Sequence, residues 1–202
     1  MTTPQIIAHR GASYLAPENT LVAFRKAMEI GADGVEMDVQ KTLDGGLVIH
    51  HDYIIDLHTD ISGRIYDMTE GELKDLDFGS WKDVAYKDEK IATLAEALAL
   101  CRSLEGCTVQ LELKSTMDND PDFVPRVLEV LQQTEMVEQV ILVSFNHALL
   151  RQAKQVSCMG QGGSMVVADE ICARFACITN KFRAVADSHM QVMAASLMTE
   201  QD

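Results

Sequence analysis

The chain has 202 residues, 47% of them apolar and 24% charged. That is enough for one domain with its own buried core, and it excludes collagen-like, low-complexity and wholly disordered polymers. The 17 basic and 31 acidic side chains leave a formal charge of −14. That balance argues against a nucleic-acid partner, and a small anionic substrate requires local cations or a metal ion in its cleft.

The predicted elements alternate between strand and helix. Ile6-Ile7-Ala8 reads as a buried strand closed by His9-Arg10-Gly11. Pro17-Glu18-Asn19-Thr20 sets a turn, with Asn19 or Thr20 as helix cap. Leu21, Phe24 and Met28 then recur at helical spacing, and Gly31 ends that helix. Gly34 to Val39 reads as a second strand. Asp44-Gly45-Gly46 is a hairpin-type turn into Leu47-Val48-Ile49 and His50-His51-Asp52. Tyr53 to Lys90 is irregular, with a short helix over Thr69 to Leu76. Thr93-Leu94-Ala95-Glu96 is a capping box that opens a helix through Leu98 and Cys101. Thr108 to Lys114 is a third strand, and a helix carrying Phe123, Val127 and Leu131 follows Asp120-Pro121. Val140 to Phe145 is a fourth strand, and Asn146 caps a helix through Leu150 and Val156. Strands separated by such helices imply βαβ units and a parallel sheet.

Five cysteines, Cys101, Cys107, Cys158, Cys172 and Cys177, are an odd number with no Cys-x-x-Cys pair. They argue against a disulfide framework or structural zinc, and for reduced thiols in a cytoplasmic protein. The N-terminus shows no signal peptide, and no segment reads as a membrane span.

Candidate chemistry sits at the strand ends. Glu36 and Asp38 lie two apart on one strand, so they share a face opposite Val35, Met37 and Val39. Glu112 and Lys114 repeat that spacing on the third strand. In a parallel barrel, three such carboxylates converge and repel unless a cation sits between them; an all-oxygen donor set favours Mg²⁺ or Ca²⁺. His9 and His51 also follow strands, and two imidazoles can supply an acid and a base. Arg10 and Lys114 can hold a phosphate. Singly, each pair reads more readily as the solvent face of a half-buried sheet than as a ligand set. His50 and His51 point opposite ways, so one enters the site and the other is expected at the surface. The sequence alone offers no reason to single out His58, His147 or His189, which are expected to be ordinary, and Trp81 reads as packing.

Taken in order, the motifs resemble those of the glycerophosphodiester phosphodiesterases. His9-Arg10-Gly11, Pro17-Glu18-Asn19-Thr20, Ala23-Phe24, Gly31-Ala32-Asp33-Gly34, Glu36-Met37-Asp38-Val39, Thr42-x-Asp44-Gly45 and His51-Asp52 carry the resemblance. Leu76-x-Phe78-Gly79-Ser80-Trp81, Ile91-x-Thr93-Leu94-x-Glu96-Ala97, Leu111-Glu112-Leu113-Lys114 and Ser144-Phe145-Asn146 extend it to about residue 150. It implies an α/β, TIM-barrel-like fold in one domain, with an insertion over about 46–90. It implies hydrolysis of glycerophosphodiesters to an alcohol and sn-glycerol 3-phosphate. Glu36, Asp38 and Glu112 would bind Mg²⁺ or Ca²⁺, His9 and His51 would be the acid–base pair, and Arg10 and Lys114 would contact the phosphate. The partner implied is a small-molecule diester, with no membrane anchor; a barrel completed by a second copy of the chain is open.

The length departs from that pattern. A TIM barrel takes about 250 residues, and residues 157–202 form an atypical segment with one strand expected over Met165 to Ala168. Two other readings follow: a relative acting on intact lipid, which the acidic composition disfavours, and a truncated, non-catalytic remnant or diester-binding protein.

Overall fold

The computed structural model describes residues 4–115 and 120–159, the last three by backbone alone. In chain order these form β1 (Ile7–Ala8), α1 (Leu21–Glu29), β2 (Gly34–Lys41), β3 (Leu47–Ile49), α2 (Glu70–Asp75), β4 (Ala92–Thr93), α3 (Leu94–Ser103), β5 (Thr108–Leu113), α4 (Phe123–Gln133), β6 (Val140–Val143) and α5 (His147–Met159). The parallel strands β1, β2, β5 and β6 lie side by side in sequence order. Each is followed by a helix before the next parallel strand, which makes them consecutive units of a TIM-barrel-like fold. Gly34 opens β2 where the neighbouring backbone leaves no room: a Cβ there would meet the Thr108 carbonyl oxygen at 2.1 Å.

The helices start where their caps dictate. Thr20 accepts from the Ala23 amide and caps α1, so of the two candidate caps it is the threonine that is used. Thr69 and Thr93 each close a capping box, with Glu72 and Glu96. Asn146 accepts from the Ala148 amide at the start of α5. Pro125 falls in the first turn of α4, where its missing N–H costs nothing.

β2 is buried on both faces. Its Val35, Met37 and Val39, with Val109, Leu111 and Leu113 of β5, pack with Phe24, Leu98, Val127 and Leu150 from the helices. The opposite face carries Glu36, Asp38 and Glu112. The β2–β5 register pairs Asp38 with Glu112 across the sheet.

The segment after β2 has a separate logic. β3 returns antiparallel to β2 through Asp44-Gly45-Gly46, with Gly45 at φ 86°. It pairs with β4, a two-residue strand that the sequence does not signal. Val48, Ile55, Ile65, Leu73, Phe78 and Ile91 form a second small core. The expected strand over Met165–Ala168, with His189, Cys172 and Cys177, lies outside the described residues.

Candidate active site

The β1–α1 loop holds two non-glycine residues in the left-handed region, Arg10 (φ 56°) near its start and Asn19 (φ 58°) near its end. Such a conformation is uncommon for a bulky side chain and concentrates at sites where function fixes the backbone. Here it aims groups at β2. The Arg10 amide donates to Glu36 Oε2 at 2.9 Å. The Asn19 side chain donates to Asp38 Oδ2 at 2.8 Å, and its oxygen accepts from the Asp38 amide at 3.3 Å. The sequence suggests Asn19 only as a helix cap; its left-handed turn frees the amide to hold Asp38 instead.

Glu36, Asp38 and Glu112 each offer an oxygen, and these atoms lie within 4.8 Å of one another. Asp38 is fully buried and Glu36 nearly so. Arg10 and Lys114 face them. Arg10 Nη1 lies 2.8 Å from Glu18, and its Nε is 3.7 Å from Asp38. Lys114 Nζ is 3.4 Å from Asp38 Oδ1 and 3.3 Å from Glu112. Even so, Asp38 Oδ1 and Arg10 Nε are buried without a hydrogen bond. Such an orphaned carboxylate oxygen is costly unless a further positive ligand occupies the site.

The charges are under strain. Burial, reinforced by Asp38, pushes the Glu36 carboxyl up to about 8. Burial also raises Glu112, partly offset by Lys114. A cation among the three would reverse both shifts, because it favours the ionised form. The oxygen-only donor set, the crowding and the orphaned Oδ1 together fit a hard divalent cation.

Two histidines border the carboxylates. His9 Nε2 is 3.9 Å from Glu36 Oε2, and its side chain is 67% exposed. Partial burial and the adjacent Arg10 hold its pKa below the usual value, so the ring is neutral near pH 7. His51 Nδ1 lies 2.7 Å from Asp52 Oδ1, and burial of its side chain is partial, at 30% exposure. Burial alone would raise the Asp52 pKa, but the His51 hydrogen bond and the nearby imidazoles outweigh it and leave it low. Glu36 and Asp38 stand within β2 and Glu112 near the end of β5, with Lys114 just past it, while His9 and Arg10 follow β1 and His51 lies in the loop beyond β3.

Two expectations are corrected. His50 is not at the surface but buried at 4% exposure. The segment after β3 covers the side that an open sheet would leave to solvent. His58 is not ordinary: its Nδ1 lies 3.1 Å from His50 Nε2. Trp81 packs edge-on against His58, as a packing residue should, while its indole N–H donates to the Phe78 carbonyl. Cys101 and Cys107 are both buried.

The order of these positions along the chain decides the family. The sequence model of the Glycerophosphoryl diester phosphodiesterase family matches residues 9–170. The chain belongs to that family. The match runs past the point, near residue 150, where the resemblance of individual motifs ends. The chain is 40% identical over 152 residues to a glycerophosphodiester phosphodiesterase of Caldanaerobacter subterraneus subsp. tengcongensis, across 75% of this chain and 62% of the relative. A solved Oleispira antarctica phosphodiesterase, in complex with the product sn-glycerol-3-phosphate, matches with a TM-score of 0.72 and 40% identity. That match covers 76% of this chain and 62% of the other. A glycerophosphodiester phosphodiesterase from Agrobacterium tumefaciens gives 0.70 at 30% identity, over 79% and 65%. The chain thus spans 62% of the length of the first two family members.

Proposed function

We propose that this chain is a metal-dependent phosphodiesterase that hydrolyses glycerophosphodiesters to an alcohol and sn-glycerol 3-phosphate. The observation that carries this reading is the carboxylate cluster of Glu36, Asp38 and Glu112 with its orphaned Asp38 oxygen, set beside two histidines. Family membership supports the reaction class, and the product held by the Oleispira relative supports the substrate class.

Glu36, Asp38 and Glu112 would hold Mg²⁺ or Ca²⁺, whose charge offsets that of the anionic diester. Arg10 and Lys114 add positive charge where it builds on the phosphoryl oxygens. Arg10 can do so with a two-pronged guanidinium, while Lys114 acts as a point charge. His9 and His51 divide the proton work. One takes the proton of the attacking oxygen as the new P–O bond forms; the attacker is water, or a neighbouring glycerol hydroxyl whose cyclic phosphate product a water then opens to sn-glycerol 3-phosphate. The other protonates the departing alcohol oxygen as the old P–O bond breaks. Their origin on different loops suits an in-line displacement, with the two rings on opposite sides of phosphorus.

We also place the protein in the cytoplasm as a single phosphodiesterase domain acting on a soluble diester. The five cysteines, odd in number and with no Cys-x-x-Cys pair, favour this reading. Among the described residues no helix is long and apolar enough to cross a membrane.

The test is release of sn-glycerol 3-phosphate from glycerophosphocholine and glycerophosphoethanolamine, after EDTA treatment and on return of Mg²⁺ or Ca²⁺. Turnover restored by a cation, and lost in both His9→Ala and Glu36→Ala, is the expected result. A folded chain that binds the diester without turnover with either cation would replace this reading with the diester-binding one.

A further inference from the structure

His50, His58 and Gln40 take no direct part in the acid–base scheme, yet they converge on the segment that carries His51. The Gln40 amide nitrogen donates to the carbonyls of His50 (2.7 Å) and Asp52 (2.8 Å), with a longer contact to that of His51 (3.3 Å). His50 Nδ1 lies 2.7 Å from the same Asp52 carbonyl. We propose that Gln40 and the buried His50–His58 pair are positioning residues that fix the His51–Asp52 dyad in its working geometry. The inference rests on reading His51 as an acid–base group.

The hydrogen-bond directions follow from elementary chemistry. A backbone carbonyl can only accept, so His50 Nδ1 carries the hydrogen. Burial holds His50 neutral near pH 7, which leaves its Nε2 with a bare lone pair. His58 Nδ1, 3.1 Å away, must then be the donor. The imidazoles meet edge to face, with ring centroids 5.0 Å apart, and Phe78 and Trp81 pack against them. Asp52 thereby has its carbonyl held by two donors, Gln40 and His50, while its carboxylate holds His51 Nδ1. His51 Nε2 is left for the substrate.

These bonds do not form a proton wire. The chain from His58 through His50 ends on a carbonyl oxygen, which has no proton to pass to His51. What remains is orientation. An imidazole displaced by about 1 Å can lose on the order of 100-fold in rate. The same two histidines are also placed to transmit any loosening of the segment after β3 to the catalytic loop. His58 sits within that segment, eight residues from His50.

The experiment compares kcat and KM for glycerophosphocholine, with the metal restored, in the full chain. His50→Asn keeps a donor near the Nδ1 position and His50→Ala removes it. The expectation is that kcat falls about 10- to 100-fold in His50→Ala with KM within about twofold, and that His50→Asn recovers most of the loss. Long-range ¹H–¹⁵N correlation of the imidazoles supplies a readout without turnover: His50 should be neutral with its hydrogen on Nδ1. A folded His50→Ala chain with unchanged kcat, or His50 with its hydrogen on Nε2, overturns the inference. If His51→Ala itself keeps full activity, the acid–base reading fails first and this inference goes with it. Should His50→Ala not fold, His58→Leu against His58→Asn decides by the same split. Equal kcat in those two variants overturns the inference.

Discussion

The two halves of the site are held by different means. Glu36, Asp38 and Glu112 stand on β2 and β5, strands locked by a six-residue parallel register and backed by the main core. His51 stands beyond β3, a three-residue strand, in a segment with a smaller core of its own and a network of polar contacts. The carboxylates are therefore placed by sheet geometry and the imidazole by side-chain bonding. Strand spacing tolerates surface change but fixes charges at close range whether or not they repel. A bonded loop can be adjusted, at the expense of depending on each donor.

The largest expected effect breaks the sheet-held half. Asp38→Ala should lower turnover by at least about 10³-fold, and isothermal titration of the variant with Mg²⁺ or Ca²⁺ should show lost affinity. Retained affinity would dissociate the carboxylate cluster from the metal. Next comes the loop-held half. His51→Ala should cost about 10²- to 10⁴-fold in kcat, while cation titration remains as in the parent chain; a loss of cation affinity would erase the distinction between the halves.

Stability separates them further. Phe24→Ala in the main core should cost about 3–5 kcal/mol and Ile65→Ala in the smaller core about 2–5 kcal/mol. Both side chains are fully buried. Hydrogen exchange should show the Ile65→Ala opening confined to residues between β3 and β4, whereas Phe24→Ala should open β2 and β5 as well. A global response to both would mean a single cooperative unit.

The loop-held half also carries its own pH dependence. Burial pushes the His50 pKa down from 6.5 to about 4, and burial lowers His58 in the same direction. Between these values the unfolded chain binds protons that the folded one refuses. The part of the stability that depends on His50 is complete above about pH 6.5, and on the order of 3 kcal/mol of it is withdrawn as the pH falls to 4. The raised Glu36 carboxyl pulls the other way in the cation-free chain, so the slope is read from chemical denaturation as the difference between the parent chain and His50→Asn across that range. The smallest effect belongs to the exposed ion pair between Lys74 on α2 and Glu96 on α3. Lys74→Ala should shift stability by less than about 1 kcal/mol, and by less still in high salt.

The parallel frame was legible because its signals are local. Period-two alternation put Glu36 and Asp38 on one face, and Thr93 with Glu96 spelled out a helix start. β4 was not legible, since two residues, one of them the helix cap Thr93 itself, carry no period. His50 was misread for a related reason. Alternation says only that it points away from His51; whether solvent or protein lies there depends on His58 and Phe78, which come later in the chain. Asn19 and Gln40 were missed as site residues because their partners lie on other elements, and an amide side chain shows no preference in sequence for one distant carboxylate or carbonyl over another.

The sequence by itself determined the residue types, their order and the faces they share, because strand and helix periods are properties of the local backbone. It determined the family for the same reason: an ordered series of motifs survives without coordinates. Only the tertiary structure decided which charges meet. The β2–β5 register brought Asp38 against Glu112, the left-handed turns at Arg10 and Asn19 aimed donors at β2, and folding of the segment after β3 buried the two imidazoles behind His51. Hydrogen bonds and charge contacts act over a few ångströms in space, and separation along the chain does not encode that distance.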